Sequence, residues 1–587
     1  MDDFAGTGYF SREYLVSTYK LKNINISAGI GWGKFTGESS IDNPLNIISE
    51  NFKNRPIRNY TNDFGGTPTY DEWFKGDAAF FGGMEFLIPN FNKLKLKVEY
   101  DPFNYFDLSA LNRTDALFSK RKKESKINFG FSYPINNFID LETSYIKGNS
   151  LNLSFIVAIT FNDRLSNKPT FEPKIQKQTI ETGNKRVFYE DLLYNLNSNR
   201  LLLQTADLDN KELDIAISTA DHRDSIRSSS YAAYISKKVS DLNNIDINNI
   251  NVVHLNAGIE LNKISYIANH LEENKSIPYE VRYTNIEVDS GNKKSYSSNE
   301  FRPIVNFPVI FSSFQPGIKN HIGAPEKVYF GGVYLQHFGE IQFNRNLILT
   351  SELDYSIFNN FTDTVTGPDS KLPHVRTEVI QYLKKEGVLI SRLQLDYLWS
   401  PRKDLYAKLS GGLFETMYGG VGGQVLYKPF KKNYSLSLDS FQVKRRDYDQ
   451  RTSFLDYETF TGHFNFAYYF PHGIESNISV GKYLAKDKGY TFDINRTTKS
   501  GFKAGIYFTR TNISKELFGE GSFDKGFYFQ IPLDLFLNSY QNNYSTFKLS
   551  PLTRDGGAKL IYEKDLKGMI YSSTYKELIK QRKNFLD

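Results

Sequence analysis

Cysteine is absent from all 587 residues. Without it there is no disulfide, no thiolate metal ligand and no cysteine nucleophile. Tryptophan is scarce at 3 residues, whereas tyrosine and phenylalanine number 39 and 47. No run of apolar residues reaches the length of a transmembrane helix, which requires about 18 or more. A strong charge of either sign is also missing: 72 basic against 66 acidic residues leave a formal +6, too mild for a nucleic-acid footprint. Met1 is followed at once by Asp2 and Asp3, with neither a basic start nor an apolar leader core. The expectation is therefore a chain that is mature, truncated or read from an internal start.

What is present is alternation. Leu94, Leu96, Val98 and Tyr100 are apolar, and Lys93, Lys95, Lys97 and Glu99 between them are charged. Period two makes one face of a strand apolar and the other polar. Segments 24–30 and 127–133 repeat the pattern, and 126–133, 138–146 and 151–161 read as three strands with short connections. Pro134-Ile135-Asn136-Asn137 and Lys147-Gly148-Asn149-Ser150 are turn sequences, so an antiparallel meander is expected. Long polar stretches at 36–76 and 102–124 separate other strands. Short turns alternating with long loops suit an outer-membrane β-barrel, and alternation keeps the mean hydropathy modest, at −0.46. A soluble multi-sheet protein would alternate in the same way.

The texture changes near residue 165. Pro169 to Lys177 reads as a linker. Val187–Leu196 and Ser228–Val239 have helical spacing, while 201–205, 213–217 and 251–255 read as strands. This is the pattern of a small soluble α/β domain. Strands return at 391–399, 405–414, 418–428, 434–443, 462–470, 474–484, 501–511 and 526–535. Many have the length that crosses a bilayer when tilted. From about 564 a Lys-rich stretch is compatible with helix.

Catalytic signatures are hard to find. Eight histidines are scattered without zinc-helix spacing, and Asp221-His222-Arg223-Asp224-Ser225 reads as a polar loop, since adjacent residues cannot form a triad. Gly29–Gly33 and Gly419–Gly423 lack the helix and the Lys-Ser/Thr of a nucleotide loop. No cofactor, no metal and no nucleic-acid partner are expected. Two basic runs remain as candidate contacts for glycan or lipid headgroups: Lys120, Arg121, Lys122 and Lys123, and Lys444, Arg445 and Arg446.

Several motifs together resemble the YjbH, or GfcD-like, family of exopolysaccharide and capsule biosynthesis proteins. They are Gly6–Val16, Gly29–Gly33, Gly65–Phe74 and Phe81–Glu85 near the start. Val443–Tyr448, Gly481–Gly489, Phe518–Gly526 and Pro551–Gly557 follow in the same order later. The resemblance implies an outer-membrane protein of a Gram-negative-type bacterium with two β-barrel regions and an intervening periplasmic α/β domain. It implies a part in secretion or assembly of extracellular polysaccharide, and it carries no catalytic residues.

The fold class expected is mainly β, with transmembrane antiparallel β-barrel regions and an inserted periplasmic α/β domain. The divisions expected are 1–165 for the first barrel region, 166–280 for linker and α/β domain, 281–562 for the second barrel region and 563–587 for the tail. The leading expectation is a non-catalytic export protein whose polar lumens guide or pass glycan. The alternatives are a plugged scaffold that binds export partners without conducting, and a glycan-modifying enzyme. Expected partners are outer-membrane lipid, polysaccharide and periplasmic exopolysaccharide-export proteins.

Overall fold

The computed structural model describes residues 1–2, 11–33, 35–36, 39–56, 70–89, 91, 93–103, 123–135, 139–158, 168, 171–178, 184–219, 221–271, 278–291, 298–322, 329–363, 371–518, 523–549 and 555–586. The chain divides into two compact units, 1–160 with 514–523, and 161–513 with 524–587. Large antiparallel sheets dominate and helices are few. Among the described residues no helix is long and apolar enough to cross a membrane.

Among its described residues the first unit holds seven strands: β1 (Arg12–Lys20), β2 (Ile24–Gly33), β3 (Ala78–Ile88), β4 (Leu94–Tyr100), β5 (Ile127–Pro134), β6 (Ile139–Ile146) and β7 (Ser150–Val157). Each pairs with the next, so the meander expected from the turn sequences is present. Lys147 and Gly148 both take positive φ between β6 and β7, where a tight turn reverses the chain. On β4 the charged positions find partners across the sheet. Lys97 Nζ lies 2.6 Å from Glu142 Oε1, reaching over Gly130 of the intervening strand. Leu96, Val98 and Tyr100 on the opposite face are exposed.

The second unit begins with an α/β region. Helix α1 (Lys185–Ser198) and helix α2 (Ser225–Leu242) pack with β8 (Leu202–Asp209), β9 (Glu212–Ser218), β10 (Asn249–Asn256), β11 (Ile259–Ile267) and β12 (Glu287–Asp289). The sheet order is β12-β11-β10-β9-β8, and β9 runs parallel to β10 because α2 crosses between them. Each helix starts on a side-chain cap, Asn184 for α1 and Asp224 for α2. Apolar side chains of α1, α2 and the sheet form its closed core, including Phe188, Leu192, Ile235 and Val252.

Thirteen strands follow among the described residues in one antiparallel meander: β13 (Val309–Ile322), β14 (Tyr329–Gln342), β15 (Leu347–Asn359), β16 (Val388–Arg402), β17 (Leu405–Leu413), β18 (Tyr418–Tyr427) and β19 (Tyr434–Arg446). The rest are β20 (Phe454–Tyr469), β21 (Ile474–Lys482), β22 (Lys488–Thr497), β23 (Lys503–Thr511), β24 (Asp524–Pro532) and β25 (Tyr544–Leu549). No pairing of β13 with β25, or of β1 with β7, occurs among the described residues, so both sheets are open there.

The burial of this sheet is inverted. Lys408 is 1% exposed and its neighbour Leu409 is 58% exposed; Gln424 is 3% and Val425 is 45%. Asp396 is buried and Tyr397 exposed in the same sense on β16. A half-buried sheet in water does the reverse. On β20 the exposed face is aromatic from Phe460 to Tyr468 and turns acidic at Asp456 and Glu458. The strand therefore runs past its apolar belt, which is why its alternation was legible from 462 but its start at 454 was not.

Candidate functional site

The buried polar face of β13–β25 is the candidate site. The alternating pattern places Arg392, Gln394 and Asp396 of β16 on it, with Lys408 of β17 and Gln424 of β18. These groups do not point into open space. The segment after β25, residues 555–570, lies along them.

The pairing is reciprocal and specific. Gln394 Oε1 accepts from the Glu563 amide at 3.1 Å, and its Nε2 donates to the Glu563 carbonyl at 3.2 Å. Lys408 Nζ donates to the same carbonyl at 2.6 Å and sits 4.5 Å from the centre of the Tyr562 ring. Gln424 donates to Asp565 Oδ1 at 2.7 Å and accepts from the Leu566 amide at 2.9 Å. Arg392 reaches the Glu563 carboxylate at 2.7 Å, and Lys567 reaches Glu475 and Asn477, each at 2.6 Å. Such buried polar groups are costly unless every member is satisfied. The segment supplies partners that water would otherwise supply.

Both ends of the segment are tied down. Asp555 is fully buried and accepts from the Arg376 and Thr377 amides at 2.8 and 3.1 Å. The Gly557 amide donates to Asp487 Oδ2 at 2.8 Å. Beyond Lys567 the chain forms helix α3 (Tyr575–Gln581), whose Leu578 joins Phe585 in the α/β core. The Lys-rich tail read from sequence as helix-compatible is thus part of two cores.

The basic runs take separate places. Lys120, Arg121 and Lys122 lie outside the described residues. Lys123 is nearly buried and donates to the carbonyls of Asp101 and Phe103. Arg446 is fully buried, and its guanidinium donates to the carbonyls of Glu415, Ile390 and Arg451 at 2.8 to 3.0 Å. Arg445 pairs with Glu378 and donates to the Tyr448 hydroxyl. Lys444 is exposed and stands opposite Glu458 in register, beyond the apolar belt. Three of these cations therefore hold loops together, and Lys444 faces outward.

The motif residues near the start also converge. Arg55 bridges Glu13 at 2.7 and 3.0 Å and Glu72 at 3.3 Å, and the Phe74 amide donates to Glu13 at 3.0 Å. Trp32 donates to Asn43 at 3.0 Å and packs edge-on against Phe74. Here the guanidinium neutralises two carboxylates and ties a loop to the sheet.

A serine–histidine–asparagine relay occurs in the α/β region. Ser228 Oγ lies 2.9 Å from His254 Nε2, and His254 Nδ1 lies 2.8 Å from Asn262 Oδ1. Ser228 and Asn262 are fully buried and Ser228 also donates to helix carbonyls, so no substrate carbonyl reaches it in this arrangement. The relay joins α2 to the sheet. Burial pushes the His254 imidazole down to about 4, against a weaker opposing pull from Asn262. The unfolded imidazole titrates near about 6.5. Above that value both states are neutral. As pH falls from there towards 4, the unfolded chain binds a proton that the folded one refuses, and stability falls. His254→Gln keeps a donor and an acceptor without titrating. It is expected to remove about 3 kcal/mol of the loss between pH 7 and pH 4. Hydrogen exchange of the α/β amides against pH checks this; identical slopes for both proteins would refute it.

Sequence reading did not find Gln394, Lys408, Gln424 or Glu563. The signal of the first three was visible as polar residues at alternate strand positions. What they meet, over 140 residues away in the chain, was not.

Comparison with known proteins follows the same outline. The chain matches the YjbH family, described as exopolysaccharide biosynthesis protein YbjH, over residues 1–572. It is 30% identical over 580 residues to the "uncharacterized lipoprotein YjbH" of Escherichia coli K12, covering 95% of this chain and 79% of the relative. A solved structure, Salmonella typhi OmpF in complex with daunomycin, aligns with 38% of this chain and 84% of that one at 9% identity. Its TM-score is 0.21, too low for any inference about this fold.

Proposed function

Because this chain belongs to the YjbH exopolysaccharide biosynthesis family, we propose that it is an outer-membrane protein that guides extracellular polysaccharide out of the cell. In this reading the two sheets close as β-barrels, spanning roughly residues 1–165 and 281–562, and the α/β domain between them stands in the periplasm. The single observation that carries it is the inverted burial of the large sheet, with Leu409, Val421 and Val425 outward and Lys408 and Gln424 inward. An outward apolar band around a polar interior is what a lipid bilayer selects in a barrel. The lipoprotein name of the Escherichia coli relative supports an envelope location. The role is one of glycan guidance and assembly, without catalysis.

A second reading has its own support. Residues 555–567 occupy the polar face and satisfy its charges, as a permanent plug would. The protein would then be a scaffold for periplasmic export partners and would conduct nothing.

Membrane fractionation of cells producing the full chain tests the common part of both readings. The protein is expected in the outer-membrane fraction, extracted only by detergent, and a deletion strain is expected to lose surface polysaccharide. A chain that stays soluble without detergent would remove both.

A further inference from the structure

The second unit contains a cavity of about 830 Å³ that the polar face of the large sheet does not account for. It lies where the start of α2, the ends of β22–β24 and the residues around α3 meet. Its size is that of a small-ligand pocket, typically about 300 to 1,000 Å³.

The lining is unevenly charged. Seven basic side chains border it against three acidic ones. Each acid is already engaged. Asp534 takes Arg223 through two oxygens, at 2.6 and 3.2 Å. Glu577 pairs with Lys580 at 3.3 Å. Asp224 caps α2 through the Arg227 amide and accepts from Asn584. Lys499, Lys503 and Lys583 border the same space with no ion pair within 4 Å among the described residues. The surplus is therefore cationic, and it faces the cavity.

Aromatic rings complete the wall. Tyr540, Tyr544 and Tyr571 line it, with cations over their rings: Arg227 at 4.6 Å and Lys168 at 5.4 Å on Tyr540, Arg223 at 5.7 Å on Tyr544 and Lys503 at 5.0 Å on Tyr571. Tyrosines present an apolar face for a sugar ring and a hydroxyl for its oxygens. Leu535 and Ile579 are the aliphatic side chains in the lining, which offers little to an acyl chain.

We propose that this cavity binds an acidic saccharide, with the carboxylates of uronate-type residues met by Lys499, Lys503 and Lys583 and the rings laid against the tyrosines. The proposal rests on the polysaccharide reading above and adds to it a site and a charge. A neutral glycan has no use for unpaired lysines. Charge-assisted hydrogen bonds to carboxylate oxygens are the interaction those lysines provide.

The test uses the full chain purified in detergent, with trigalacturonate as probe, maltotriose as its neutral counterpart and phosphatidylglycerol vesicles as the lipid arm. Trigalacturonate is expected to bind at least roughly tenfold more tightly than maltotriose, and to weaken with salt. The double variant Lys499→Glu, Lys583→Glu is expected to weaken trigalacturonate roughly tenfold, while Lys499→Arg, Lys583→Arg retains it. Both lysines are exposed, so neither change enters a packed core. Equal affinity for maltotriose, no binding of either sugar, or unchanged binding by the Glu variant would each overturn the site. So would binding of the vesicles through these lysines in place of the sugar. If the protein fractionates with the outer membrane and its deletion abolishes surface polysaccharide while trigalacturonate fails to bind, only the site falls. If the protein is soluble, the reading beneath it falls.

Discussion

Planar bilayers holding the full chain are expected to stay closed, and a variant lacking residues 555–587 is expected to conduct. The reason is geometric. In barrels of about eight strands the side chains fill the interior, whereas about sixteen to eighteen leave an aqueous channel. A sheet of 13 strands lies between these cases. Closed into a barrel as proposed, such a sheet would enclose more space than its side chains alone fill, and the segment along Gln394, Lys408 and Gln424 would take up the remainder. Removing it lets water hydrate those groups, so the sheet keeps its satisfied polar atoms while the path opens. Deletion also takes Leu578 and Phe585 out of the α/β core, where both are fully buried. A second variant therefore keeps residues 566–587 and replaces 555–565 with a Gly/Ser linker. Both variants are expected to raise single-channel conductance roughly tenfold or more over the full chain. If both stay as closed as the full chain, the segment is not the plug. If the full chain already conducts, the scaffold reading is lost.

Replacing Arg55 by alanine is expected to destabilise the first unit by about 4 kcal/mol. The side chains of Glu13 and Glu72 are 1% and 2% exposed, and Arg55 bridges them. Without it Glu13 loses the cation that grips both of its oxygens in a site that water barely enters. Breaking a buried pair on one side costs more than the pair itself contributes, because the remaining charge is stranded. Arg55→Lys keeps the charge but loses the planar fork that grips Glu13 at two oxygens, so an intermediate loss is expected. Trp32 packs against Phe74, whose amide is held by Glu13, and reports on this region. Denaturant unfolding followed by tryptophan fluorescence in a Trp399→Phe background measures the effect. An unchanged midpoint for Arg55→Ala would show that the carboxylates find other compensation.

The strands were the most legible feature. Alternation over 405–414 and 418–428 gave β17 and β18 to within a residue, because a face that must be apolar and one that must be polar leave a period-two record. β22 also alternates, at Tyr490, Phe492 and Ile494, but its ends carry Lys488 and Arg496 and it was not among the clear strands. The helices of the α/β region were legible for a different reason: side-chain caps and helical spacing are local. The two-residue turns at Asn210-Lys211 and Ala257-Gly258, both with positive φ, make hairpins that extended this region beyond the strands read from sequence.

The site was far less legible. Lys-Arg-Arg at 444–446 looks like one patch in sequence, yet Lys444 faces outward, Arg445 pairs with Glu378 and Arg446 is buried among carbonyls. On a strand, neighbours point to opposite faces, and at a strand end a bulge between Lys444 and Arg446 changes the direction again. Charge runs read along the chain therefore overstate what shares a surface.

The sequence by itself determined the strand-rich class, the presence of an α/β region and the family, since these depend on local periodicity and on motifs held within a few residues. Tertiary structure alone decided that the polar face is occupied and by which residues. Gln424 and Asp565 meet only after the sheet has formed and the segment has folded back along it. Nothing local distinguishes such a segment from a solvated tail, because the hydrogen bonds that place it are made to residues far away in the chain.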